Sequence, residues 1–236
     1  MNSASTYLDH FFFLALPYVA FFTFFFVTIE RYRNRKFTYS SLSSQFLENQ
    51  QHFWGLVPFH YGILVVITGH IVAFLIPREV LWWNSKPLRL YILESTALVF
   101  AILAAVGLVA AMIRRVSVSK LRRVTSPVDW LLFAMLLLQI LLGIEVAVRY
   151  PWGSSWFATS LTPYLWSVAW LSPDLSYVSP LPWHIKFHII NAYLLILLFP
   201  FTRLVHILVI PNPYLWRKPQ VVRWYRNPNE PASSRS

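Results

Sequence analysis

Residues 59–70 read FHYGILVVITGH, two histidines ten positions apart in a run without a single charge. A second pair, His188 and His206, stands in the apolar run toward the carboxyl end. An ionisable side chain in such a segment is costly to hold in lipid, so it pairs with a neighbour or faces a cavity or a cofactor. A hydrogen bond to an adjacent helix accounts for one such histidine but hardly for four in two runs. His10, His52 and His184 fall at the ends of apolar runs, where an imidazole meets water, and they read as interfacial side chains.

The elements that carry these histidines are legible from composition. Of 236 residues, 57% are hydrophobic and 12% charged, and the mean hydropathy is +0.51. Crossing a bilayer takes roughly 20 mainly apolar residues, and five stretches qualify: 9–29, 54–76, 90–113, 130–149 and 186–210. They are apolar on every face, whereas a transmembrane barrel needs alternation. The expected fold is an all-α membrane protein of five transmembrane helices, with residues 1–226 as one domain and 227–236 as a disordered tail. The opening MNSASTYLDH lacks the basic start and cleavage site of a secretory signal, so the first span is expected to remain as an anchor.

The net charge of +11 sits at span ends, which speaks for topology and against nucleic acid. Arg31, Arg33, Arg35 and Lys36 follow the first span; Arg114, Arg115, Lys120, Arg122 and Arg123 follow the third. Arg217, Lys218, Arg223, Arg226 and Arg235 follow the fifth. The positive-inside rule then puts the amino terminus outside and the carboxyl terminus in the cytoplasm. The outer connection 150–184 is rich in Trp, Pro and Ser, and 155–171 reads as a segment lying on the membrane surface. Cysteine is absent, so any iron–sulfur cluster belongs to a partner.

Spans two and five run in opposite directions, which sets His60 level with His206 toward the cytoplasm and His70 level with His188 toward the outside. Two imidazoles on opposite faces of an iron porphyrin make a common electron-transfer centre, built in bundles from facing helices. Two depth-matched pairs therefore predict two b-type haems between helices 2 and 5. In an ideal helix His188 and His206 share a face with a rise of about 27 Å, while His60 and His70 differ by about 15 Å. Tilt, side-chain reach and a bend at Pro200 are the ways to close that difference. Gly62 and Gly69, beside His60 and His70, leave room for a flat macrocycle, although small residues equally serve helix contacts. Arg203, one turn before His206, is placed to pair with a haem propionate or to snorkel to the inner surface. Glu94 and Glu145, near the outer span ends with Lys86 and Arg89 close to the first, are candidates for binding a quinone oxygen or taking a quinol proton, or are interfacial charges.

FHYGILVVITGHIVAFLIP (59–77) followed by KFHIINAYLLILLFPFTRLVHILVIP (186–211) resembles the gamma subunit of respiratory nitrate reductase, a di-haem cytochrome b membrane anchor. The resemblance implies five transmembrane helices in the cell membrane, an inner haem on His60 and His206, and an outer haem on His70 and His188. It also implies a quinol site beside the outer haem, bordered by Gly69, Lys86 or Arg89, and Glu94. Its implied partners are cytoplasmic, an iron–sulfur subunit and a molybdenum-cofactor catalytic subunit. Two features depart from the family: its outer-loop basic residue aligns with either Lys86 or Arg89, and segment 150–184 is unlike other members.

The function expected is quinol oxidation at the outer face, with electrons passed through two haems to the cytoplasmic partners. Alternatives are the same cytochrome in another molybdoenzyme, with electrons running toward quinone, a histidine-relay transporter for protons or metal, or a haem-free anchor.

Overall fold

The computed structural model describes residues 3–34 and 52–209. All regular structure among them is helical, and five helices are long and apolar enough to cross a membrane. They are α1 (Thr6–Asn34), α2 (His52–Leu75), α4 (Pro87–Ser117), α6 (Pro127–Arg149) and α8, the helix Trp183–Leu198 with its short extension to Phe201. Between them lie α3 (Pro77–Asn84), α5 (Ser119–Arg123) and the helical segment α7, residues 153–169. Basic residues 35, 36, 217, 218, 223, 226 and 235 and the expected tail 227–236 lie outside the described residues.

Prolines set the boundaries. Pro77 bars Ile76 from helical geometry (φ −130, ψ 57), which ends α2 and opens α3. Pro87 and Pro127 stand at the first positions of α4 and α6, where a missing N–H costs nothing. Ser126 caps α6 in a reciprocal box with Asp129: the Asp129 N–H donates to Ser126 Oγ (3.2 Å) and the Ser126 N–H to Asp129 Oδ2 (2.9 Å). Pro17 sits inside α1, just past a π-helical turn at Phe11–Ala15. It has no N–H to give Phe13, four residues back. The Tyr164 hydroxyl of α7 donates to that Phe13 carbonyl instead (2.8 Å).

Helix α2 lies along α4, α4 packs on α6, α6 on α8, and α8 on α1. Lipid supplies no hydrophobic drive between helices, so close approach depends on small residues. Gly55, Gly62 and Gly107 form the α2–α4 seam: a side chain on Gly107 would strike the Phe59 backbone, and one on Gly62 would strike the Phe100 carbonyl and Ala104. Gly62 thus serves helix contact and offers no surface for a macrocycle.

Two expectations need correction. The fifth span is not continuous to 210. Pro200 lies in a short 3₁₀ turn, Thr202 is extended, a second 3₁₀ turn covers Arg203–Val205, and a separate helix α9 begins at His206 (His206–Val209). The ideal 27 Å spacing of His188 and His206 therefore does not apply. Residues 155–171 are not merely laid on a surface. Ala158, Leu161, Thr162, Tyr164 and Val168 are buried, Thr162 Oγ1 donates to the Ala73 carbonyl (3.2 Å), and Trp166 Nε1 donates to the Phe74 carbonyl (3.1 Å) while its ring stacks on Phe74.

Candidate functional site

Helices α2 and α8 do not pack on each other along their length, yet His60 of α2 comes up to His206 at the start of α9. The rings of His60 and His206 have centres 6.1 Å apart. Nδ1 of His60 donates to the Leu56 carbonyl (2.7 Å), and Nδ1 of His206 to the Arg203 carbonyl (2.7 Å). Nδ1 of His70 does the same to Val66 (2.8 Å). A carbonyl oxygen only accepts, so in a neutral ring the proton lies on Nδ1 and the lone pair on Nε2. A bond of this kind at one ring nitrogen fixes the orientation of an imidazole whose other nitrogen binds a metal. Two imidazoles bonded at about 2 Å to opposite sides of one metal ion have ring centres about 6 Å apart. The pair His60 and His206 fits that requirement in distance and tautomer. Both rings keep some exposure in the bundle, His60 the more of the two.

The break in the fifth span makes this meeting possible. Thr202 Oγ1 accepts from Leu204 N–H (3.3 Å) and starts the turn that delivers His206. Arg203 closes on Asp129 of α6 with two bonds, Nε to Oδ1 at 2.6 Å and Nη2 to Oδ2 at 3.2 Å, and donates to the Val124 carbonyl (3.2 Å). Arg31 of α1 donates to the Pro200 carbonyl. Arg203, expected at a propionate or snorkelling, thus latches the carboxyl segment to α6. Asp129 was missed in the sequence, although its place three residues after Ser126 marks it as a cap.

The second pair is held differently. His70 meets the Phe157 ring edge-on with centres 5.4 Å apart, and it lies within electrostatic reach of His188. His188 is wedged against α6, where a side chain on Gly143 would come within 3.1 Å of its Cε1. Gln139 Nε2 donates to His188 Nε2 (3.3 Å), and Asn191 Nδ2 fixes that amide by donating to Gln139 Oε1 (2.8 Å). His188 Nδ1 is buried without a hydrogen bond. Beside His70, a side chain on Gly69 would meet nothing within 4 Å, so that face of α2 is open. The residues fit an iron centre in donor type and in the space at Gly69, with Gln139 in front of the Nε2 of His188. Among the described residues no three His, Cys, Asp or Glu side chains gather as a site for a bare ion, so what the chain offers a metal is pairs.

The expected quinol residues are spread over the Trp-rich end of the bundle. Lys86 is exposed just ahead of α4. Arg89 lies over the rings of Trp82 (4.8 Å) and Trp83 (5.4 Å), and donates to the Trp82 carbonyl and Ser85 Oγ. Glu94 accepts from Trp152 N–H (3.1 Å), Ser154 N–H (3.2 Å) and Ser154 Oγ (2.9 Å), capping the start of α7. A cavity of about 290 Å³ at this end is bordered by Leu81, Asn84, Tyr91 and Trp152, and none of Gly69, Lys86, Arg89 and Glu94 lines it. His184, expected at the interface, is buried and shares a hydrogen bond with the Tyr150 hydroxyl.

A family model described as the nitrate reductase gamma subunit matches residues 9–225. The chain belongs to that family. It is 32% identical to the nitrate reductase gamma chain of Bacillus subtilis (strain 168) over 213 residues, covering 88% of this chain and 95% of that one. It is 29% identical to the respiratory nitrate reductase 2 gamma chain of Escherichia coli (strain K12) over 230 residues, 92% of this chain and 97% of that one. As a gamma subunit it is one part of a multi-subunit oxidoreductase, which agrees with its five apolar helices.

Proposed function

We propose that the chain is the di-haem cytochrome b subunit of a respiratory nitrate reductase in the cell membrane, oxidising quinol near the outer face. His60 and His206 would hold the inner haem, and His70 and His188 the outer one. Each haem, when bound, supplies an iron that accepts and donates single electrons. The protein's part is to fix the imidazoles: the carbonyls of Leu56, Val66 and Arg203 hold three of them in the Nδ1–H tautomer. The observation that carries the reading is the His60–His206 ring separation of 6.1 Å together with that tautomer.

On this reading the amino terminus is outside, and residues 1–226 act as one membrane unit. The Trp-rich end faces outward, and the basic end faces an iron–sulfur subunit and a molybdenum-cofactor subunit in the cytoplasm. Quinol enters from the lipid beside Gly69. Lys86 is exposed while Arg89 is engaged by two tryptophans and two acceptors, so Lys86 is the cation available to a developing quinol anion. Glu94 shapes this wall by holding Trp152 and Ser154.

A reduced-minus-oxidised visible spectrum of the assembled complex tests the reading. Two b-type centres are expected, with His60→Ala and His206→Ala removing the same one, and His70→Ala and His188→Ala the other. Loss of different centres by the two members of a pair would overturn the assignment.

A further inference from the structure

A cluster outside these roles lies where α6 meets α8. The imidazole of His184 is buried, and its Nε2 shares a hydrogen bond with the Tyr150 hydroxyl. Its Nδ1 faces Glu145 Oε1 at 3.9 Å and has no hydrogen bond, and Glu145 Oε2 is buried and equally without one. A single proton on the carboxyl group would serve both sides, as the carboxyl O–H would then have an imidazole nitrogen to donate to. The same Glu145 oxygen, Oε1, accepts from Nε of the largely exposed Arg149 at 3.0 Å, which leaves Oε2 as the oxygen free to carry a proton.

The three groups are ordered by depth. Gly143 touches His188, and Glu145 lies about 3 Å further along α6. His184 is one turn outward of His188 on α8, and Tyr150 ends α6. An imidazole that takes a proton at one nitrogen and releases one at the other is a shuttle. We propose that Glu145, His184 and Tyr150 form a path carrying protons from the level of the outer histidine pair to the outer face, with quinol as their source.

The path rests on the quinol-oxidation reading above. Oxidation of one quinol to quinone releases two electrons, which leave one at a time to the haem irons, and two protons. For each proton on this path, the Glu145 carboxylate is protonated and passes that proton to His184 Nδ1. The imidazolium gives its Nε2 proton to the Tyr150 oxygen as the Tyr150 hydroxyl proton goes to water. No group has then changed charge, and the ring and hydroxyl turn back before the next transfer.

Neighbouring titratable groups are already engaged. From α1, Asp9 holds Lys186 of α8 (2.8 Å), His10 bonds the Thr6 carbonyl and Tyr18 donates to the Val168 carbonyl. Tyr164 of α7 donates to Phe13, and His188 lies one turn deeper with Gln139.

The test uses the assembled complex in proteoliposomes, mixed rapidly with a short-tailed quinol. Haem absorbance and a pH dye in the outer medium are followed together, and infrared difference spectra record carboxyl protonation. Glu145→Gln and His184→Ala are expected to slow haem reduction and proton release together by about tenfold or more. Added imidazole should restore His184→Ala, Tyr150→Phe should slow release to a smaller degree, and a carboxyl band should be absent in Glu145→Gln. Dithionite spectra report haem content; if His184→Ala loses a haem, Glu145→Gln and Tyr150→Phe decide. Wild-type rates in these variants overturn the path while leaving quinol oxidation standing, and so does a slow His184→Ala that imidazole does not restore. A wild-type complex that takes no electrons from quinol overturns the parent reading as well.

Discussion

The four histidines differ in how their rings are held, and that difference decides how each pair tolerates change. His60, His70 and His206 are aimed by bonds to backbone carbonyls, which no substitution of a neighbouring side chain removes directly. His188 is aimed by packing, against Gly143 on one side and the Gln139 amide on another. Gly143→Ala would put a methyl 3.1 Å from Cε1, closer than an ordinary contact, so the ring must give by a few tenths of an ångström. Overpacking of this kind costs about 1–3 kcal/mol. The expected outcome is a shifted potential or reduced content of the centre that contains His188, with the His60–His206 centre unchanged, read by redox titration of the visible spectrum. Equal loss of both centres would mean that Gly143 serves the bundle and not the ring. A second residue-scale prediction concerns Lys86. Lys86→Ala should slow quinol-driven haem reduction in rapid mixing more than Arg89→Ala does, because Arg89 is already occupied; the reverse order would transfer the role to Arg89.

Two elements set where the histidines stand, the α2–α4 seam and the break in the fifth span. Gly107→Ala would drive a methyl into the backbone of α2, which cannot move aside locally, so the helix as a whole must separate from α4. Both His60 and His70 ride on α2. Lower accumulation of the subunit in membranes and loss of both centres are therefore expected, in contrast to the single-centre effect of Gly143→Ala, and membrane blots with haem spectra distinguish the two. The first four spans could be read in the sequence because hydropathy and proline boundaries act locally. The fifth was read too long: LLILLFPFTRLVHILVI stays apolar through the break, and hydropathy does not register an extended Thr202. Pro200 carried the signal as a bend but not its size. The roles of Arg203 and Glu94 were hidden for another reason. Their partners, Asp129 and the 152–154 backbone, are more than fifty positions away, and only the packed bundle brings them together. His60 and His206 do come within 6.1 Å, ring centre to ring centre, because opposite helix direction fixes relative depth even when the rise is wrong.

At the scale of the whole molecule, the basic residues around the α4–α6 connection divide into a buried set and an exposed set. Arg114 and Arg115 are buried; Arg115 bonds Thr125 Oγ1 (3.0 Å) and lies 5.1 Å from the Phe133 ring centre, tying α4 to α6. Lys120, Arg122 and Arg123 on α5 are exposed. Residues that orient the chain need only be basic and near a span end, so reversing two of them while Arg114 and Arg115 remain should leave the topology intact. A soluble partner, however, would meet the exposed set first. Charge across an interface sets encounter and register more than it adds net affinity, so the loss should be steep at physiological salt and smaller at low salt. The double variant Arg122→Glu with Arg123→Glu is expected to keep both haem centres and its orientation, checked by spectrum and by protease accessibility of the amino terminus, while the iron–sulfur and catalytic subunits pass from the membrane to the soluble fraction. Arg115→Glu should behave differently, lowering the amount of folded subunit because it buries an anion near Asp129 and removes the bond to Thr125. If the double variant keeps its partners on the membrane in a correctly oriented bundle, the exposed arginines serve topology alone and the docking surface lies elsewhere on the basic end.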